Sequence, residues 1–185
     1  MTKTVQKSKA RDMTQGSIWK QLLLFSLPLM AGNLFQQLYN TVDSIVVGNF
    51  VGKEALASVG GSASTIINLL VGFFVGLSSG ATVIISQYYG ADNRRRVSDS
   101  VHTAIALAIA GGVVIMLIGL VSARFALTAM GTPDDILSLS LTYMKIYYLG
   151  TIPSMIYNMG SGILRAVGDS KRPLYFLIAS CLVNI

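Results

Sequence analysis

Charge is what this sequence has least of: Asp, Glu, Lys and Arg make up only 12% of its 185 residues, against about 25% in a soluble domain. That imbalance points to a bilayer rather than water as the solvent. A single cysteine, Cys181, excludes an intrachain disulfide and any cysteine-built zinc cluster, and His102 alone cannot build a metal site. Strict alternation of apolar and polar residues is missing too, so the spans are not barrel strands. Paired acids, histidine clusters and nucleophile–base pairs are lacking, and the chain does not read as an enzyme or as a binder of a metal or organic cofactor. The net charge of +6 does not point to nucleic acid, because the basic residues sit at block boundaries and are not interleaved with exposed aromatics.

What the sequence has is long apolar runs, near 18–47, 55–86, 101–123, 136–160 and 174–185, in a chain that is 52% hydrophobic. A helix crosses a hydrocarbon core with about 20 residues and satisfies its own backbone hydrogen bonds there. The expected fold is an all-α integral membrane bundle, polytopic, with four full transmembrane helices and a truncated fifth. The expected helices cover about 18–47, 55–87, 97–123, 135–162 and 173–185, in one transmembrane domain over 16–185. Residues 1–15 form a basic leader; hydrophobicity continues too far beyond it for a cleaved signal peptide. The run after Pro173, LYFLIASCLVNI, has about 12 residues and reaches roughly 18 Å at 1.5 Å per residue. It is too short to span, and the chain is expected to be a piece of something longer.

Charge also orients the bundle. With the amino terminus inside, the leader, GADNRRRVSD and LRAVGDSKRP face the cytoplasm and hold 11 of the 14 Lys and Arg residues. The opposite side keeps Lys53, Arg124 and Lys145, and its turn MGTPDD supplies Asp134 and Asp135. An excess of Lys and Arg marks the cytoplasmic side.

The first span is not uniformly apolar. Asn33, Gln36, Gln37, Asn40, Asp43 and Ser44 recur at helical spacing and fall within an arc of about 120° at 100° per residue. That face looks at protein or at a water-filled cavity. The amides serve equally well as interhelical glue, whereas a carboxylate within a span is a functional candidate by default. Asp43 lies toward the outer end of the helix, so two readings stay open: a carboxylate able to exchange a proton for a cation, and a merely solvated interfacial Asp. Pro28, about four turns earlier, removes a backbone bond, so a bend or hinge is expected near Leu24 to Pro28.

Other features read as architecture. Gly72, Gly76 and Gly80 form a small-residue seam for close helix approach. Tyr143 and Tyr147 share a helix face and can offer hydroxyls and rings to a cation, while Tyr148 and Tyr157 suit an interfacial belt. His102 reads as solvated or capping. Gly168 and Asp169 before Pro173 suit one helix stop followed by a helix start.

Four stretches in order, LPLMAGNLFQQLYNTVDSIVVG, GKEALASVG, SQYYGADN and LRAVGDSKRP, resemble the multidrug and toxic compound extrusion (MATE) transporters. The resemblance covers the chain from about residue 14 onward. It implies two six-helix lobes around a central cavity that opens alternately to each side, in a bacterial plasma membrane, with this chain forming most of the N-terminal lobe. The resemblance also implies a cation-coupling set: Asp43 on the first helix, Tyr143 (or Tyr147) on the fourth, and Asn184 on the fifth. The family's further Asp would fall three residues beyond Ile185. Asn33, Gln36, Gln37, Asn40, Ser44 and Tyr147 would line the cavity, with Pro28 as the hinge.

The function so implied is a proton- or sodium-coupled antiporter exporting amphiphilic or cationic drugs and toxic compounds, with the coupling ion as its only cofactor. A truncated N-terminal lobe would be inactive alone. Expected partners are the small-molecule substrate, membrane lipid, and a C-terminal lobe or homologous chain. Two alternatives stay open: a flippase of lipid-linked precursors, and a non-transporting membrane protein that binds a full-length partner.

Overall fold

A computed structural model describes residues 17–184, with the side chains of Ile18 and Asn184 left aside. The leader 1–15 therefore lies outside the described residues. Among the described residues seven α-helices follow one another: α1 (Ile18–Val46), α2 (Lys53–Gly60), α3 (Ser62–Gly90), α4 (Arg94–Ala129), α5 (Asp134–Leu149), α6 (Thr151–Ala166) and α7 (Lys171–Asn184). A short π-helical stretch, Val47–Val51, extends α1. No strand occurs among the described residues. The protein is an all-α, multi-pass membrane bundle.

Among the described residues two helical stretches, Lys53–Gly90 and Arg94–Ala129, are long and apolar enough to cross a membrane. The polar stripe lowers the mean hydropathy of α1, and α5 and α6 are each 16 residues long. Exposure marks the solvent: Val121 is 87% exposed and Phe125 79% exposed on α4. Apolar surface on that scale is stable against lipid and not against water.

The breaks between helices have local causes. Gly61 separates α2 from α3 with ψ near −134°, and a Cβ there would sit 2.7 Å from the carbonyl oxygen of Ala57. The second expected helix, 55–87, is thus two segments with an earlier start. The fourth, 135–162, is divided at Gly150, whose ψ of −1° turns the chain before Thr151. Gly168, at φ +85°, closes the α6 end, and Asp169 opens α7. The Asp169 carboxylate accepts from the backbone N–H groups of Lys171 and Arg172 at 3.2 and 3.1 Å. It also pairs with the Arg172 guanidinium at 3.1 Å. Asn93 caps α4 by accepting from Arg96 N–H at 3.2 Å. Asp134 and Asp135 place negative charge at the positive N-terminus of α5.

The core lies among α3, α4, α5 and α6. One cluster joins Ala63, Ala123, Leu127, Met144 and Tyr148, and a second joins Phe74, Ala104, Ala108, Met155 and Met159. Small residues on α4 and α6 allow the closest approaches. Gly119 lies directly under the Tyr148 ring, and Gly162 abuts Ser78 of α3. At that crossing Ser78 Oγ donates to the Asn158 carbonyl at 2.7 Å. The expected seam of Gly72, Gly76 and Gly80 is corrected: all three are exposed, and a Cβ at any of them would meet nothing within 4 Å. Tyr148 is corrected from belt to core, at 4% exposure, because Gly119 leaves room for its ring.

α1 stands apart from this body and packs chiefly on α7. Gly32 is the contact: a Cβ there would lie 3.7 Å from both Leu174 and Leu177. The short helix α7 touches α6 only lightly. The bundle is therefore a packed body, α2 to α6, flanked by an α1–α7 pair.

Candidate functional site

The register of α1 explains where its carboxylate goes. Gly32 faces α7, and residues seven and eleven positions later return to nearly the same side of a 3.6-residue helix. Those positions are Tyr39 and Asp43. Both are partly buried, whereas Asn33, Gln36, Gln37, Asn40 and Ser44 are exposed. The polar stripe thus splits into an open run and an inward edge.

At that edge the Tyr39 hydroxyl hydrogen-bonds the Asp43 carboxylate one turn away, and Cys181 of α7 and Tyr143 of α5 lie within electrostatic reach of Tyr39. The charge of Asp43 acts on Tyr143 in turn, and Tyr143 acts on Tyr147. Of the residues expected from sequence, Asp43 of α1 and Tyr143 of α5 lie within electrostatic reach of each other, and Tyr147 follows one turn after Tyr143. Asn184 closes α7, and its side chain lies outside the described residues. Tyr39 and Cys181 are additions. The position of Tyr39 four residues before Asp43 was the available signal for the first; α7 packing alone supplies the second.

The exposed run has its own local chemistry. Ser44 Oγ donates to the Asn40 carbonyl at 2.9 Å, and Thr41 Oγ1 to that of Gln37 at 2.8 Å. These hydroxyls are satisfied by their own helix, while the amide side chains of Asn33, Gln36, Gln37 and Asn40 face outward from the bundle. Pro28 sits within α1, which continues helical through it from Ile18 to Val46. Its missing N–H leaves the Leu24 carbonyl without its usual helical donor. Beyond Asp43, the N–H of Val47 is shared between the Asp43 and Ser44 carbonyls. The π turn then ends at Gly52, whose φ of +116° suits glycine. π turns within helices are frequent at functional sites.

His102 is exposed about two turns into α4, with Nδ1 2.8 Å from the Ser98 carbonyl. It is far in sequence from the Asp43 cluster and is held by its own helix.

Together these features define a class: a helical membrane protein whose loosely attached helix pair holds one carboxylate, hydrogen-bonded by Tyr39 and within electrostatic reach of a tyrosine on the packed body. The particular family follows from comparison. The MatE family model matches residues 28–185, and the chain belongs to that family. It is 34% identical over 176 residues to "Probable multidrug resistance protein YpnP" of Bacillus subtilis, covering 95% of this chain and 39% of that protein. Crystal structures of MATE in the bent and straight conformations are each 26% identical and superpose with TM-scores of 0.85 and 0.87. Each comparison covers 96% of this chain and 39% of the other. The chain thus spans about two fifths of the length of the relatives it matches, and it corresponds to a MATE N-terminal lobe.

Proposed function

We propose that these residues form the ion-coupling lobe of a cation-coupled antiporter that exports amphiphilic or cationic compounds across a bacterial plasma membrane. The observation carrying this reading is Asp43 of α1, hydrogen-bonded by Tyr39 and within electrostatic reach of Tyr143 of α5. A proton or sodium ion neutralises the carboxylate and changes how α1 sits against the body. The two arrangements bind the ion with different affinity, and that difference is what a gradient can use. Asn184 joins the set from α7, and Tyr147 lies next to Tyr143. The exposed amides Asn33, Gln36, Gln37 and Asn40, with Ser44, line the cavity, and Pro28 serves as the hinge.

The export of drugs is suggested by the name of the Bacillus subtilis relative, and the existence of bent and straight MATE conformations supports a two-state mechanism. The distribution of Lys and Arg favours a cytoplasmic amino terminus. Alternating access needs a second lobe, so transport is assigned to the assembly of these residues with a C-terminal lobe or homologous chain, and not to the 185 residues alone. No covalent chemistry is involved.

The test is gradient-driven efflux from vesicles holding the two-lobed transporter with this sequence as its first lobe. Asp43→Asn should reduce efflux at least tenfold while leaving substrate binding measurable. Undiminished efflux in Asp43→Asn would overturn the proposal.

A further inference from the structure

The light contact between α6 and α7 leaves a groove of about 380 Å³, lined by Ile156, Tyr157, Gly160, Leu164 and Phe176 among others. Its walls are apolar, and its far end is not. Tyr157, Ser161 and Arg165 follow one another at four-residue steps along α6, so they form one stripe. Tyr157 and Ser161 line the groove, and Arg165 continues the same line in the last turn of the helix. The Tyr157 hydroxyl lies within electrostatic reach of the Arg165 guanidinium.

Arg165 is half-buried, yet among the described residues it forms no ion pair: the acid nearest in sequence, Asp169, is engaged by Arg172 at 3.1 Å. A partly desolvated guanidinium without an anion is a standing cost, and it is offset by any anion that can reach it. The segment following Arg165 is the polar turn Val167–Ser170, and the exposed Lys171 then opens α7. Arg165 therefore sits at the level of lipid headgroups. From Ile156 to Arg165 the helix rises about 13 Å at 1.5 Å per residue, close to one leaflet of a hydrocarbon core about 30 Å thick.

We infer that the α6–α7 groove is a binding site for one anionic phospholipid, with an acyl chain against Ile156, Gly160 and Phe176 and the phosphate on Arg165. The occupant must combine an apolar tail with a negative head, because the groove is apolar along its length and cationic at its interfacial end. This site is separate from the Asp43 cluster and does not depend on ion coupling.

The chain has one tryptophan, Trp19, so a reporter is simple to place. Trp19→Phe with Tyr157→Trp puts the only indole in the groove, and quenching by brominated phosphatidylglycerol and brominated phosphatidylcholine is compared in reconstituted vesicles. One interfacial Arg corresponds to about a fivefold preference for the anionic lipid. Arg165→Gln should bring the preference near unity, and Arg165→Lys should keep most of it, which separates loss of charge from loss of fold. A ratio near unity with Arg165 present overturns the inference, as does a preference that survives Arg165→Gln. Weak quenching by both lipids would mean that protein covers the groove, and would overturn it as well.

Discussion

Gly119→Ala tests the packing of the body most directly. The new methyl group would fall within the Tyr148 ring, and the ring cannot step aside, because it is buried with Ala123, Leu127 and Met144. The helices α4 and α5 must separate or Tyr148 must leave its site, and overpacking of this kind costs about 1–3 kcal/mol. Alanine also gains about 1 kcal/mol over glycine from helix propensity, so the single variant understates the clash. The appropriate reference is Gly76→Ala on α3, where the added methyl meets nothing within 4 Å and only the propensity gain remains. The difference between the two variants isolates the clash, and 1–3 kcal/mol is roughly a 5- to 150-fold difference in unfolding equilibrium constant. Unfolding is followed by circular dichroism in mixed micelles titrated with a denaturing detergent. A double cycle with Tyr148→Ala should show that the loss at Gly119 is contingent on the ring. Coincident curves for Gly119→Ala and Gly76→Ala would refute the packing argument and return the close approach to the exposed seam.

Asp169→Ala removes the acceptor for two backbone N–H groups at the start of α7 and should cost about 1 kcal/mol, seen as faster amide exchange at Lys171 and Arg172. Asp169→Asn keeps an oxygen acceptor and loses only the pair with a partly exposed Arg172, so it should recover most of that loss. Ser78→Ala removes the donor to the Asn158 carbonyl across the α3–α6 crossing and should destabilise the body by about 0.6–1 kcal/mol in the same detergent titration. An unchanged midpoint would mean that this bond does not contribute.

The polar face of α1 was legible because helical spacing alone gathers Asn33 to Ser44 onto one arc. Its division into an open run and an inward edge was not, since that depends on Gly32 meeting Leu174 and Leu177 of α7. Tyr143 and Tyr147 were legible as an i, i+4 pair, and the structure sets Tyr143 within electrostatic reach of Asp43. The glycines were the least legible. A four-residue spacing shows which face of a helix could be approached, but whether anything approaches is decided by the neighbour. Gly119 and Gly162 have neighbours that fill the space, while Gly72, Gly76 and Gly80 have none. The break at Gly150 was hidden for a related reason: both sides of it are apolar, and hydropathy carries no signal of a 16-residue helix ending where another begins.

The unequal packing bears on how an ion at Asp43 could act. Elements that move are drawn from the less tightly packed parts of a structure. Here the body of α2 to α6 is locked by ring-over-glycine and hydroxyl-to-carbonyl contacts. The α1–α7 pair is held mainly by its own mutual interface. Asp43 belongs to the looser pair and Tyr143 to the body, so a charge change at Asp43 alters an electrostatic link between them. On the proposed mechanism this makes the pair, and not an isolated bend at Pro28, the unit that responds to the ion. Gly32→Leu, which would wedge α1 from Leu174 and Leu177, should then disturb ion coupling while leaving the detergent stability of the body near that of the parent. Equal loss of body stability and coupling would place α1 within the body and refute this division.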